Sequence, residues 1–317
     1  NADHNVAVGY AAGTAITTGH SNVAIGDAAL DATTTGVDSV AVGRDALGNN
    51  TTGAYNVAIG RDALSDNTTA ESNVAIGYRA SYLSTTGTEN VSVGEQALRA
   101  NTTGNSNTAI GRRALYSNTT ATGNTAVGEG ALFTNSTGIK NAAFGNQAMY
   151  DNTTGVQNTA LGYNALHSNT TSNSNTAVGF HALYDTTGSN NTAVGEQAGV
   201  DITSGSNNIC IGLDAGRSSS PDHIVTTSNK IVLGNNSTAN CYIKVDWTVT
   251  SDRRDKTDIE PFNHGLSWIN KLNPVTYRWD MRSDYEDGKP DGSKKQSQLN
   301  VGLIAQDEIE VEKEHGY

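Results

Sequence analysis

Aromatic rings recur at a fixed offset in this chain: Tyr82, Tyr116, Phe133, Tyr150, His167 and Tyr184 each stand five residues after the glycine of a repeating unit. A stripe of rings offers apolar area with polar rims, the chemistry that stacks on sugar faces, and this makes Tyr116, Phe133, Tyr150 and Tyr184 candidate surface-binding residues. Packing of the rings within the stack, or between chains, is the alternative use of the same column. Tyr163 and Phe180, next to their glycines, raise the same choice. The other reactive side chains are dispersed. Asp45, Asp62, Glu95 and Glu129 occupy edge positions that read as a solvated face rather than as an acid/base pair. His20, His167 and His181 lack metal-ligand spacing, so no metal site and no cofactor are expected. Cys210 sits in a small-residue slot and Cys241 in a later strand, which argues for free thiols, Cys210 buried, over a disulfide framework.

The elements that must position these residues follow from the repeat. A glycine recurs every seventeen residues from Gly9 to Gly179 and again, after a one-residue deletion, at Gly195 and Gly212, giving thirteen copies. With this glycine as position 0, position +3 is alanine in every copy, position −2 is small and position −1 is apolar. Position −4 is asparagine in every copy but one, the exception being Ser39. Periods this strict mark a solenoid whose units contact only their neighbours, and seventeen residues are too few for a helical-hairpin repeat of roughly 33 or more.

Each copy therefore reads as extended chain. Asn-Val-Ala-Ile-Gly is a five-residue strand, Ala-Leu a second apolar stretch on the return path, and Asn-Thr-Thr-Gly a turn. Stacked at about 4.8 Å, thirteen coils make a rod of about 58 Å. The turns create Asn-x-Thr sequons at Asn50, Asn67, Asn101, Asn118 and Asn152, which turn chemistry explains without glycosylation. Adjacent threonines in a turn do not suit a flat outward array of the ice-binding kind. Edge positions hold alternating charges such as Glu95, Arg112 and Glu129, a ladder of exposed pairs each worth about 0–1 kcal/mol. Because the constant apolar positions are mostly Ala and Gly, one coil buries little apolar surface. Some Val and Leu columns are then expected to face the interior and others neighbouring chains, in a homotrimer.

Composition excludes several classes. Only 16% of the 317 residues are charged and the net charge is −12. Residues 1–250 hold ten Lys and Arg against eighteen Asp and Glu, and residues 251–317 hold ten against fourteen, so neither part offers a nucleic-acid surface. No stretch approaches the ~18 apolar residues of a membrane span, and no basic-then-apolar secretion signal opens the chain. Asn1 already lies within the repeat pattern, so a capping segment, anchor or leader is expected upstream.

The period fails after Gly216. Residues 217–250 read as a polar connector followed by last strands, among them Lys-Ile-Val-Leu-Gly at 230–234. From Ser251 the chain becomes charged and tryptophan-containing, with three blocks in order: Ser251-Asp-Arg-Arg-Asp-Lys-Thr-Asp-Ile259, Leu272-Asn-Pro-Val-Thr-Tyr-Arg-Trp279 and Val301-Gly-Leu-Ile-Ala-Gln-Asp307. These blocks resemble the C-terminal intramolecular chaperone domain of endosialidase tailspikes and many phage tail fibres, over residues 251 to about 310. The family's Ser-Asp-x-Arg-x-Lys-x-x-Ile pattern falls on Ser251, Asp252, Arg254, Lys256 and Ile259.

The resemblance implies a small α+β domain that helps three chains fold together and then cuts itself off before the motif serine. The scissile bond would be Thr250–Ser251, with Ser251 the nucleophile, Lys256 its base, and Asp252 and Arg254 the supporting motif. A lysine whose pKa is lowered by burial or a neighbouring cation can serve as such a base. The family's domain continues into helical, trimer-forming sequence, so the segment ending in the charged run 308–314 is expected to be truncated. The repeats themselves resemble the β-roll heads of trimeric autotransporter adhesins, carried by Asn56-Val-Ala-Ile-Gly60 and Asn73-Val-Ala-Ile-Gly77, and that resemblance implies a trimeric left-handed roll.

Two functional readings result. The first is a phage tail fibre or tailspike in the virion tail, binding a host-surface glycan or protein. The second is a trimeric adhesin on a bacterial cell surface. A glycan depolymerase would need paired carboxylates facing a groove, and the repeats show none.

Overall fold

The computed structural model describes residues 2–241, 274–278 and scattered positions between 292 and 302. The chain divides into two units, Asn1–Tyr242 and Ile243–Tyr317.

The first unit is a parallel β-solenoid. Fourteen strands form one sheet in strict sequence order, from β1 (Val6–Val8) through β11 (Thr176–Val178), β12 (Thr192–Val194) and β13 (Ile209–Ile211) to β14 (Ile231–Leu233). Each strand is three residues long, shorter than the five expected, although the flanking Asn carbonyl and Gly N–H still bond adjacent coils, as the Val40 N–H does the Asn56 carbonyl at 2.8 Å and the Gly43 N–H the Ile25 carbonyl at 2.7 Å. Like residues lie over like at an offset of seventeen, as in Ala41 over Ala58 over Ala75. Thirteen steps of about 4.8 Å make this sheet about 62 Å long.

The fourteenth strand extends the sheet beyond the repeat. Ile231 pairs with Ile209 across a 22-residue coil, and the connector packs back through buried Ile224, whose N–H bonds the Gly216 carbonyl at 2.8 Å. The deletion between Gly179 and Gly195 is absorbed in the turn. Asn175 reaches the Gly188 carbonyl thirteen residues on, where its counterparts reach fourteen, and β11 still pairs with β12 in register.

Inside the coil the apolar columns are alanine at −2 and +3 and leucine at +4, all buried from the second coil onward where those residues occur. The leucines adopt left-handed backbone, for example Leu47 at φ 51° and Leu98 at φ 52°. That conformation is unfavourable for a residue with a side chain, and here it turns each leucine inward. The glycine at position 0 is needed twice over. Gly94 has φ +132°, and a Cβ there would stand 2.6 Å from the Gly111 carbonyl oxygen of the next coil.

Asparagine fills the rest of the interior. At position −4, Asn107 Oδ1 accepts the backbone N–H of Asn124 at 3.0 Å, while its Nδ2 donates to the Ala121 carbonyl at 2.8 Å. At position +7, Asn118 Nδ2 donates to Asn101 Oδ1 at 2.9 Å and to that same Ala121 carbonyl at 3.2 Å. Two buried amide ladders thus converge on each turn. Ser39, the one departure at −4, still accepts the Asn56 N–H through Oγ at 3.2 Å. The sequon residues Asn50, Asn67, Asn101, Asn118 and Asn152 all belong to the +7 ladder and are fully buried, closed to any glycosylating enzyme in the folded coil. Threonines at +8 tie the turns together: the Thr51 N–H and Oγ1 both bond the Thr68 carbonyl, at 2.8 and 2.9 Å.

In the second unit, β15 (Val275–Tyr277) pairs antiparallel with β16 (Asn300–Gly302), which joins two of the three C-terminal sequence blocks. The helical part expected of this unit, and the block at 251–259, lie outside the described residues.

The +7 ladder has one gap. Ser84 is too short to reach Asn67, and both Asn67 Oδ1 and Ser84 Oγ are buried without a hydrogen-bond partner. Ser84→Asn should close it and raise stability by about 1–3 kcal/mol, the range for satisfying a buried polar group. Urea denaturation of the two proteins checks this; an unchanged or lower midpoint would refute the account of the ladder.

Candidate functional site

Because the leucine at +4 is turned inward, the residue at +5 emerges on the outside of the coil, and the sheet repeat sets successive +5 side chains one coil apart. Rings at that spacing must stack. Tyr116 and Phe133 lie 5.0 Å apart between centroids, Phe133 and Tyr150 4.9 Å, Tyr150 and His167 5.4 Å, and His167 and Tyr184 4.9 Å, with interplanar angles of 10° or less. The column extends through Arg99, whose guanidinium lies 5.8 Å from the Tyr82 ring and 5.5 Å from that of Tyr116. Sequence reading placed the aromatic members and missed Arg99, although its position at +5 was the available signal.

Of the two uses of the column, packing within the stack is the one seen. Tyr116, Phe133, Tyr150 and Tyr184 are half-buried, their faces turned to one another along the rod and their edges outward. The side chain at +2 covers part of that edge. Arg79 sits 5.2 Å over Tyr82, Arg113 6.0 Å over Tyr116, and His181 5.0 Å from Tyr184. A second aromatic pair, Tyr163 and Phe180, stacks at 5.5 Å and stays exposed.

The charged edge is partly ordered. Arg112 pairs with Glu129, and Arg44 with Asp45 at 3.0 Å. Asp62 departs from the expected solvated face. It is only 6% exposed, held between Arg61 at 3.5 Å and Arg79 at 3.1 Å. Among the described residues no three His, Cys, Asp or Glu side chains converge as a metal site would require. Both cysteines are free: Cys210 is buried, its thiol pushed up to about 11 by burial, and Cys241 is exposed.

The remaining candidate site is C-terminal. Thr250, Ser251, Asp252, Arg254 and Lys256 lie outside the described residues. Residues 251–317 match the family model described as chaperone of endosialidase. This segment is an endosialidase-type chaperone domain. The chaperone match begins at Ser251, directly after the strand-like stretch of sequence 241–250. No curated protein matches the chain. No solved structure matches it. Among the described residues no helix is long and apolar enough to cross a membrane.

His167 gives the stack a pH dependence. Burial between two tyrosines lowers its pKa, opposed by Asp151, at 3.7 Å, and by Asp185, while His181 adds to the lowering. The folded state therefore holds the imidazole neutral, and protons bind better to the unfolded chain. The stability that this group supplies is complete above the ordinary imidazole pKa of about 6.5 and falls as the pH drops below it. His167→Phe, which Phe133 shows to fit the column, should raise the melting temperature more at pH 5 than at pH 8. Equal shifts at both pH values would show that His167 does not titrate against the fold.

Proposed function

We propose that this chain is the shaft and C-terminal chaperone region of a trimeric phage tail fibre or tailspike, presenting a host-contact surface along the solenoid. The observation that carries the reading is the outer face of the sheet. Alternate strand residues point away from the alanine core, and position −1 forms an unbroken column of Val, Ile, Phe and Leu over all fourteen strands. Much of it is open to solvent: Ile25 is 40% exposed, Phe144 39%, Leu161 49% and Ile211 44%.

With the half-buried −3 column beside it, this strip is about 62 Å long and about 10 Å wide from strand geometry, roughly 600 Å². That equals the largest patch an ordinary monomer exposes, concentrated here in one flat stripe. A coil whose interior is alanine, leucine and asparagine gains from covering it. Closed threefold symmetry lets each sheet be covered by two others. The endosialidase-type chaperone domain supports the same stoichiometry and the phage-tail assignment. Light scattering should return three times the chain mass, and Ile59→Glu with Ile76→Glu should abolish the trimer while Glu95→Gln on another face leaves it intact. A wild-type monomer would sink the reading.

Self-cleavage between Thr250 and Ser251, with Ser251 as nucleophile and Lys256 as base, is proposed on the match of 251–317 to the chaperone family and on the serine and lysine spacing. The step would move the Thr250 acyl group from the Ser251 nitrogen to its side-chain oxygen, the lysine taking the hydroxyl proton and returning it to the nitrogen as the C–N bond breaks, and water would then hydrolyse the ester to leave a Thr250 carboxylate and a free Ser251 amine and hydroxyl. Wild type should yield a fragment beginning at Ser251 on a denaturing gel, and Ser251→Ala should stay whole. Full-length bands for both under trimer-forming conditions would refute the cleavage.

A further inference from the structure

The +2 residue approaches the ring of its own coil at Arg79, Arg113 and His181, and one ring-bearing coil has no +2 side chain. Gly130 occupies that slot in the coil of Phe133. Its backbone does not demand glycine, since φ is +64° there against +57° at Gln96 and +54° at Gln147 in the same column. A Cβ at Gly130 would come within 3.3 Å of Tyr150 Cε2, so a side chain there would crowd the Tyr150 ring and take up the space beside it that the glycine leaves. The result is a notch of ≈ 160 Å³ lined by Arg112, Arg113, Glu129, Phe133, Gln147 and Tyr150.

These walls have a consistent chemistry. Planar, hydrogen-bonding groups surround the opening, and the ring edges of Phe133 and Tyr150 supply apolar contact at its floor. Paired guanidinium and carboxylate groups offer donors and acceptors side by side, the pattern that vicinal sugar hydroxyls satisfy, and the Gln147 amide adds one of each. The volume suits one hexose-sized unit, with the rest of the glycan lying along the rod. Charge narrows the class further. Glu129 is already paired with Arg112, while Arg113 has neutral partners, the Tyr116 ring and the Gln96 amide, its Nε donating to Oε1 at 3.1 Å. The uncompensated cation favours a carboxylate, and at physiological salt the remaining negative charge of the chain is screened beyond about 8 Å.

We propose that the notch at Gly130 binds one uronic acid unit of a surface polysaccharide, the Arg113 guanidinium taking the carboxylate and Gln147 and the Arg112–Glu129 pair the ring hydroxyls. The site deepens the host-contact reading and rests on it for its biological setting. It is built from +1, +2 and +5 residues and from none of the −1 or −3 residues of the sheet face.

The test uses the full chain and two probes, trigalacturonic acid and its carboxyl-reduced neutral counterpart, followed by calorimetry. Wild type should bind the acid at least about tenfold more tightly than the neutral sugar, a difference of about 1.4 kcal/mol. Gly130→Gln should weaken both by about tenfold or more. Arg113→Gln should bind the two alike; glutamine already stands at +2 in three coils, at Gln96, Gln147 and Gln197, so this variant decides the matter if Gly130→Gln does not fold. A trimeric wild type that binds neither probe, that does not distinguish them, or whose affinity survives Gly130→Gln overturns the site and leaves the fibre reading standing. A monomer that binds the acid in the expected way keeps the site and overturns the fibre.

Discussion

Everything in the solenoid depends on the buried amide ladders. A seventeen-residue coil has only three residues in regular strand, so most of its backbone turns corners; many corner N–H groups bond carbonyls of the adjacent coil, as Leu47 does Ala63 at 3.0 Å, and other corner groups take side-chain partners. The side chain that supplies them must donate and accept at once, carry no charge and be short enough to stay inside. Asparagine alone among the amides and carboxylates meets all three conditions. Aspartate would stack like charges at one coil's spacing, and glutamine adds a methylene where leucine and alanine already fill the section. Buried polar groups are costly when unmatched, which makes a matched ladder a strong register device: a coil slipped by one residue would strand an amide in the core.

That requirement explains which parts of the fold were legible. The glycine and alanine columns were readable because each has one cause that shows in a single copy, a left-handed backbone or a lack of space. Asn101 and Asn118 were read as turn formers, which is their local propensity, and their ladder was missed because the partner lies one coil away. The leucine at +4 was recognised as apolar, but nothing in its type announces a left-handed backbone, which is imposed by the closure of the coil. The fourteenth strand echoed the repeat in sequence, yet the 22-residue loop before it broke the period on which counting relied.

Of the candidate site, the aromatic column could be read and its use could not. A period shows that rings lie above one another; the sheet then decides their separation, and at 4.9–5.4 Å they become one another's neighbours. Gly130 carried no sequence signal of its own, being one more glycine in a glycine-rich chain. Its meaning comes from the side chains at +2 in other coils, which cover what it leaves open. Ser251 and Lys256 were legible only through their resemblance to the chaperone family, and the family match covers the same segment.

A division of labour between faces follows from the ladders. Since interior amides and the glycine column hold the register, outward positions carry little of the burden of folding and are free to differ from coil to coil. The −1 column of the sheet face has nevertheless stayed apolar at every strand, as a surface constrained by something outside the coil would, while the −3 column beside it mixes apolar residues with threonine. The +1, +2 and +5 positions have instead diversified into charges, amides and rings. Uniformity along one face and variety along another are what a rod needs if it is to associate through the first and recognise through the second.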